Sequence, residues 1–480
     1  MPSQPTTSQP TSQPLASATP TGTAAARPDT HGPAAPAGCP RPRSAPDLAT
    51  PDLATAGDNA ASGHAVTADA TAGRLDDAAG RRRRGLAGRL GPRAGFALQT
   101  SMIVSFLAAS AAPTPLYAVY QQAWGFAPVT ITVIFGVYAV AVLCSLLVVG
   151  ALSDHIGRRP VLLVAAALQA SAMVVFATAG GVGALMAARI TQGLATGAAT
   201  GALGAGLLDL HRTRGTLANG AGPFAGMALG ALGSSLLVAY LPDPTRLVYL
   251  VLLAILLAQA AGVALMGETS PRVPGARASL RPRIGLPGPV ARALVVAGPC
   301  MVAAWALGGF YFSLGPSLAR LVAGSHWIVL GGLALLSLAA TASLTIIAVR
   351  NTAPRSVMFL GTVGLLVGVG VTLLAVTTRS TAVFFTGTTI AGVGLGAGFQ
   401  GGLRTLLPLA DAHERAGVLS TIYVLCYLAL GIPAVIAGAL VTSGGLSRTS
   451  TEFGVVIMAL AAFALTGLLA RAPVAAVAGD

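Results

Sequence analysis

Lysine is missing from this 480-residue chain: all 29 of its basic residues are arginine. A phosphate-binding loop of the Walker type closes on a lysine, so the chain cannot drive itself with a P-loop ATPase of its own. Charge of either sign is scarce, at 9% of residues, where soluble domains hold roughly 25%. Hydrophobic residues make up 54% of the chain and the mean hydropathy is +0.75. A chain so apolar cannot cover itself with polar surface, and lipid is its default solvent. Cysteine is scarce as well. Cys39, Cys144, Cys300 and Cys426 fall in separate segments, which excludes a disulfide framework and metal-ligand spacing, so no metal or other cofactor is expected. The histidines are scattered too, and His155, His211 and His413 fall at loop positions where solvated rings are expected. The glycine-dense run Ala391–Gly398 imitates a nucleotide loop, but it lies inside an apolar run with no strand before it and reads as helix packing.

What is present divides sharply near residue 94. Residues 1–94 are rich in Pro, Ala, Thr, Ser and Gly, carry a tandem PDLATPDLAT over Pro46–Thr55, and are expected to be a disordered tail. The tail ends in a polybasic stretch with Arg81–Arg84, Arg89 and Arg93. Lying so far from Met1, these arginines do not mark a signal peptide; they fit a cytoplasmic anchor that contacts anionic lipid. No aromatics interleave them, so no nucleic-acid partner is expected.

From residue 95 onward apolar runs of about 20 residues recur, each long enough to cross a hydrocarbon core of about 30 Å. The runs predict twelve spans, over 96–119, 127–150, 160–179, 183–207, 216–240, 246–267, 294–318, 326–348, 356–377, 381–403, 417–441 and 453–471. Of the 19 arginines in this part, 14 then face the side of the tail, four face the other side, and Arg189 lies within a span. That asymmetry predicts cytoplasmic N- and C-termini in a plasma-membrane protein. A Pro- and Arg-rich linker over 268–293 separates six spans, 95–267, from six more, 294–472, with a short end at 473–480.

The halves look like repeats. Gly193, Gly197 and Gly201 in the fourth span match Gly394, Gly398 and Gly402 in the tenth at a constant offset of 201 residues, and Arg214 matches Arg415. The expectation is an all-α membrane protein with twelve transmembrane helices in two six-helix pseudo-repeats. A binding site between parallel repeats at mid-depth is a transporter arrangement.

Three motifs carry a family resemblance. The stretch from Gly150 to Leu162, with Leu152, Ser153, Asp154, His155, Gly157, Arg158 and Arg159, resembles the signature loop between the second and third helices of the major facilitator superfamily. Leu185, Arg189, Gln192 and Gly193 resemble that family's fourth-helix motif. Gly222, Pro223 and Gly226 resemble the fifth-helix motif of its proton antiporters, although Ala218 and Met227 replace two expected glycines. The equivalent of the first motif after the eighth span, AVRNTAPRSVMF, keeps its arginines but lacks the Asp and the glycines. The resemblance implies the major facilitator fold, alternating access by rocking of two halves, and a cavity lined by the first, fourth, seventh and tenth helices. It also implies that Asp154 docks against the opposite half, with the start of the eleventh span and Arg415 as its partners here.

Gly150 and Gly157 are expected to permit sharp turns, and Asp154 to accept hydrogen bonds from a helix start. Arg189, as a charge inside a span, should face the protein interior with Gln192 on the same face. Ser105, Gln192, Trp305 and Tyr311 are candidates for the cavity wall. No acidic residue lies in the middle of a span, so proton coupling is implied by the resemblance alone. The expectation is a monomeric secondary transporter exporting a small hydrophobic compound in exchange for protons. The alternatives are a gradient-independent facilitator or importer, and a membrane-tethered sensor that works through the tail. A membrane enzyme would need catalytic groups inside the spans, which the sequence lacks.

Overall fold

The computed structural model describes residues 90–411 and 413–470; the predicted tail with Arg81–Arg84, apart from its last few residues, and the C-terminal end lie outside them. Among the described residues every element is helical, apart from one isolated bridge between Leu90 and Met266. Proline opens several helices, because a first-turn position needs no backbone donor and favours its fixed φ. This applies to α1 (Pro92–Ala111), α2 (Pro113–Trp124) and α3 (Pro128–Val149). A one-turn α4 (Ser153–Ile156) precedes α5 (Arg158–Ala177), α6 (Val182–Leu210), α7 (Arg212–Tyr240) and α8 (Pro244–Leu265). The linker holds the short α9 (Ala276–Ser279). Then follow α10 (Gly288–Ala323), α11 (Val329–Ala348), α12 (Pro354–Thr378), α13 (Thr381–Leu406) and α14 (Arg415–Ala470).

Among the described residues, ten segments are long and apolar enough to cross a membrane, with α1 and α2 counted as one. Helix α6, at 29 residues, has the length but is not among the ten; its glycines, threonines and Arg189 dilute its apolar character. Helix α14 counts once, yet Gly445 (φ 76°, ψ 162°) interrupts it. The loop predicted over 442–452 is therefore a break at one residue inside an otherwise helical run.

Buried apolar residues separate at the linker. One core draws on Met102 to Met266, and the other mainly on Cys300 to Ala464. Glycines set the closest approaches. A Cβ at Gly193 would stand 2.6 Å from Ala141 Cβ, at Gly197 2.6 Å from Val142 O, and at Gly201 2.5 Å from Gly150 O, so α6 lies directly on α3. Gly222 and Gly226 do the same for α7 on α1, facing Ile103 and Val104 on either side of Pro223 in the sequence motif.

The second half changes the expected register. Gly394 faces Leu365 on α12, while Gly398 and Gly402 face Cys300 and Met301 on α10. The counterparts of Gly193 and Gly197 are Gly392 and Gly396, which pack on the Leu338 and Ala342 carbonyls of α11 as the first pair packs on Tyr138 and Val142 of α3. They stand 199 residues on, not 201. A carbonyl pressed against a helix demands a missing Cβ at one position, and that demand, not the visible glycine ladder, marks the equivalence.

The halves meet along two helix pairs. On α3 and α14, Gly136 faces Val435, and a Cβ at Gly438 would overlap Thr132. On α7 and α11, Ser343 Oγ donates to Ala221 O (3.0 Å), and Gly332 packs on Ser235. Thr114 Oγ1 also donates to Phe312 O (3.1 Å), from α2 to α10. Contacts are tight at the end of the bundle where α3 begins. At the opposite end, which carries Asp154, α3 and α14 part around a cavity.

Candidate gate, buried arginine and aromatic cluster

The Gly150–Arg159 stretch folds around Arg158. Gly157 has φ +99°, the left-handed region that only glycine enters freely, and it reverses the chain between α4 and α5. Gly150 is ordinary right-handed helix (φ −54°). A Cβ there would press on the Leu146 carbonyl, and the residue stands in the turn that Leu152 N–H closes on Val149 O (2.9 Å), without left-handed backbone. The Arg158 side chain is buried. It pairs with Asp154, donates from Nη1 to Ser153 Oγ (2.8 Å), and reaches Asp209 Oδ2 (3.3 Å) at the end of α6. Arg159 donates to Ala264 O.

The acceptor at the start of α5 is not Asp154. Glu268, the single acid of the linker, takes the backbone N–H groups of Arg158 (2.7 Å) and Arg159 (3.2 Å). It also takes those of Thr269 and Ser270. A Cβ on Gly157 would lie 2.5 Å from the Glu268 carboxylate, so glycine is needed there twice over. Beside it, Val273 N–H donates to His155 O (3.0 Å), and His155 Nδ1 lies 3.3 Å from Val273 O. His155 is thus engaged by the linker rather than only solvated. His211 caps α7 by accepting from Arg214 N–H.

Asp154 and His155 line a 340 Å³ cavity at this end. Leu146 and Gly150 of the first half, Arg281 and Arg283 of the linker, and Ser420 and Tyr423 of α14 complete the wall. Asp154 therefore faces the start of α14 across open space. Arg415 is directed elsewhere, with Nε on Ala410 O (3.3 Å), and does not pair with Asp154. The linker's far end is held to α14, where Gly285 N–H donates to Gly417 O (3.3 Å) and Thr421 Oγ1 to Gly285 O (2.9 Å).

Arg189 is fully buried. Its guanidinium donates twice to Tyr117 Oη (2.6 and 2.8 Å), to Ser110 O (2.8 Å) and to Gln192 Oε1 (2.7 Å). Gln192 in turn donates to Ala109 O (3.0 Å). The cation lies 5.1–5.8 Å from the ring centroids of Tyr138, Tyr117 and Phe176. All these partners are neutral and belong to the first half, so a carbonyl, a phenol, an amide and three π faces replace the water that a cation in a membrane loses.

The other candidates separate. Ser105 donates to Gln259 Oε1 (2.7 Å) between α1 and α8. Tyr311 is buried in the second half, 3.0 Å from Thr388 Oγ1 and 3.4 Å from Thr372 Oγ1. Neither lines the cavity between the halves. Trp305 is half-buried and makes edge contacts with Phe399 of α13 (5.3 Å) and Tyr427 of α14 (5.1 Å). Sequence reasoning missed Glu268, Tyr117, Phe399, Tyr423 and Tyr427. The pair Tyr423 and Tyr427, one turn apart in an apolar run, was the available signal for an aromatic face.

The family model described as Major Facilitator Superfamily matches residues 99–432. No curated protein matches the chain. Solved structures share its fold. The human organic anion transporter MFSD10 (TETRAN) is 18% identical with a TM-score of 0.57, over 78% of this chain and 100% of that one. The nucleoside transporter NupG is 12% identical with a TM-score of 0.58, over 80% of this chain and 100% of that one. A bacterial homolog of the human lysosomal transporter Spinster, in an inward-facing and occupied conformation, is 14% identical with a TM-score of 0.61, over 77% of this chain and 95% of that one.

Proposed function

The chain belongs to the major facilitator superfamily, and from that premise we propose a secondary active transporter that works by alternating access and exports a small hydrophobic compound in exchange for protons. It is a multi-pass membrane protein with a small-molecule substrate. Taking α6 as a span and dividing α14 at Gly445, we count twelve spans. The arginine asymmetry supports a plasma-membrane orientation with the Asp154 end in the cytoplasm.

One observation carries the alternating-access reading. The halves touch closely at one end, through Gly438 on Thr132 and Gly136 on Val435, and part around the 340 Å³ cavity at the other. A transporter open to one side has this asymmetry, and rocking about the helix-pair contacts would exchange the two ends. A gradient-independent facilitator is the second reading. It is favoured by the neutral surroundings of Arg189 and by the lack of any acid in the middle of a span.

Purified protein in liposomes, with candidate compounds and a pH gradient imposed in each direction, tests both. Uptake or release that follows the gradient supports antiport. Movement independent of the gradient selects the facilitator. No movement of any compound would sink the transporter reading and favour a sensor that uses the tail.

A further inference from the structure

Two spaces follow one another along the same three helices. Leu146 of α3, Gly201 of α6 and Tyr423 of α14 line the 340 Å³ cavity at the Asp154 end. Further along, Cys144, Leu194 and Tyr427 of those helices line a 660 Å³ groove. The ring centroids of Tyr423 and Tyr427, one on each wall, lie 6.4 Å apart. No charged residue lines the groove, and its Val140, Ile190, Leu428 and Ile432 are exposed. In a membrane-spanning bundle, side chains exposed at this depth meet hydrocarbon.

The cavity differs from the groove in charge. Its acid, Asp154, is paired with Arg158. Arg281 and Arg283 stand on the same wall, and among the described residues no carboxylate pairs with either. Ser420 adds a hydroxyl. The two arginine charges are therefore left unbalanced, which attracts an anion and repels a cation. An alkyl chain gains little by moving from lipid into an apolar groove. A charged head thus supplies the preference, and the groove lets a chain lie along the helices without meeting a charge.

We propose that cavity and groove together take a single-chain amphiphile with an anionic head, the head on Arg281 and Arg283 and the chain along α3 and α14, and that this is the class of compound transported. The assignment rests on the transporter reading, so its test reads binding separately from transport. Native mass spectrometry of the full-length protein in detergent counts bound dodecyl phosphate, dodecanol, dodecyltrimethylammonium and methyl phosphate. Dodecyl phosphate is expected to bind about tenfold tighter than each of the other three. Arg281→Gln/Arg283→Gln is expected to bring it down to the level of dodecanol, and Arg281→Lys/Arg283→Lys to keep most of the preference. Cys144→Trp, at an exposed position, fills the groove and is expected to weaken dodecyl phosphate and dodecanol alike, several-fold. Equal binding of those two compounds overturns the proposal, as does no binding of dodecyl phosphate. Methyl phosphate binding as tightly as dodecyl phosphate would reduce the site to one for free phosphate and overturn it too. So would a preference that survives Arg281→Gln/Arg283→Gln, or binding unchanged in Cys144→Trp. In liposomes, movement of some other compound while dodecyl phosphate stays in place sinks the proposal and leaves the transporter reading standing. Selective binding without movement of any compound would uphold the site and reject the transporter reading instead.

Discussion

Glu268 and Gly157 act as a pair. The carboxylate occupies the space that a side chain at Gly157 would fill, and it accepts the first two free N–H groups of α5. Removing the acceptor in Glu268→Ala should cost about 1 kcal/mol, the usual value of a helix cap. Gly157→Ala loses the same contact and adds strain at φ +99°, so its cost should be larger. Thermal unfolding in detergent checks the order, and equal losses would contradict it. Asp154 is different in kind. Its side chain is 57% exposed and pairs with Arg158, which Ser153 and Asp209 also hold. Arg158 can therefore keep its place without Asp154, and Asp154 is free to meet α14 when the cavity narrows. Asp154→Ala should slow transport several-fold at normal expression. Unchanged transport kinetics would reject a gating role and leave a solvated loop.

Between helices, the decisive contacts are backbone against backbone. Gly197 on α6 lies against the Val142 carbonyl, and nothing there is a flexible side-chain end that could move aside. Gly197→Leu should destabilise the protein by about 3 kcal/mol, as overpacking a dense interface does. Gly233→Ala, at a helix position with open space around it, should be neutral or slightly stabilising. Melting of the two variants by size-exclusion chromatography tests the contrast, and a stable Gly197→Leu protein would refute the close packing. The same contacts explain what the sequence could reveal. Apolar length, proline starts and arginine asymmetry are local properties, so the helices were legible. The repeat was legible only roughly, because a glycine-rich chain contains several ladders and only a facing carbonyl distinguishes Gly392 and Gly396 from Gly394 and Gly398. At the sites, Arg189 with Gln192 was readable because a buried charge needs partners. Glu268 was not, since its helix start lies 110 residues earlier in the chain, and no local pattern records a contact that distant.

At the scale of the whole molecule, the two ends of the bundle cannot be equivalent while Gly136 touches Val435 and the Asp154 end holds a cavity. If transport proceeds by rocking, the tight end must open in every cycle. A cross-link there should therefore stop transport without touching the wall of the 340 Å³ cavity. A Cβ at Gly136 would lie 2.8 Å from Val435 Cγ2, the place where a cysteine sulfur at 435 would stand. Gly136→Cys with Val435→Cys should thus form a disulfide with little movement of α3 or α14. The chain has four cysteines, of which Cys300 and Cys426 are buried and Cys144 is exposed. Replacing Cys39 and Cys144 by alanine leaves the engineered pair as the accessible thiols. In liposomes the oxidised protein should lose transport and a reductant should restore it, while each single cysteine variant transports in both states. Transport that continues with the disulfide fully formed would show that this end stays shut throughout the cycle, and alternating access by rocking of the halves would have to be abandoned.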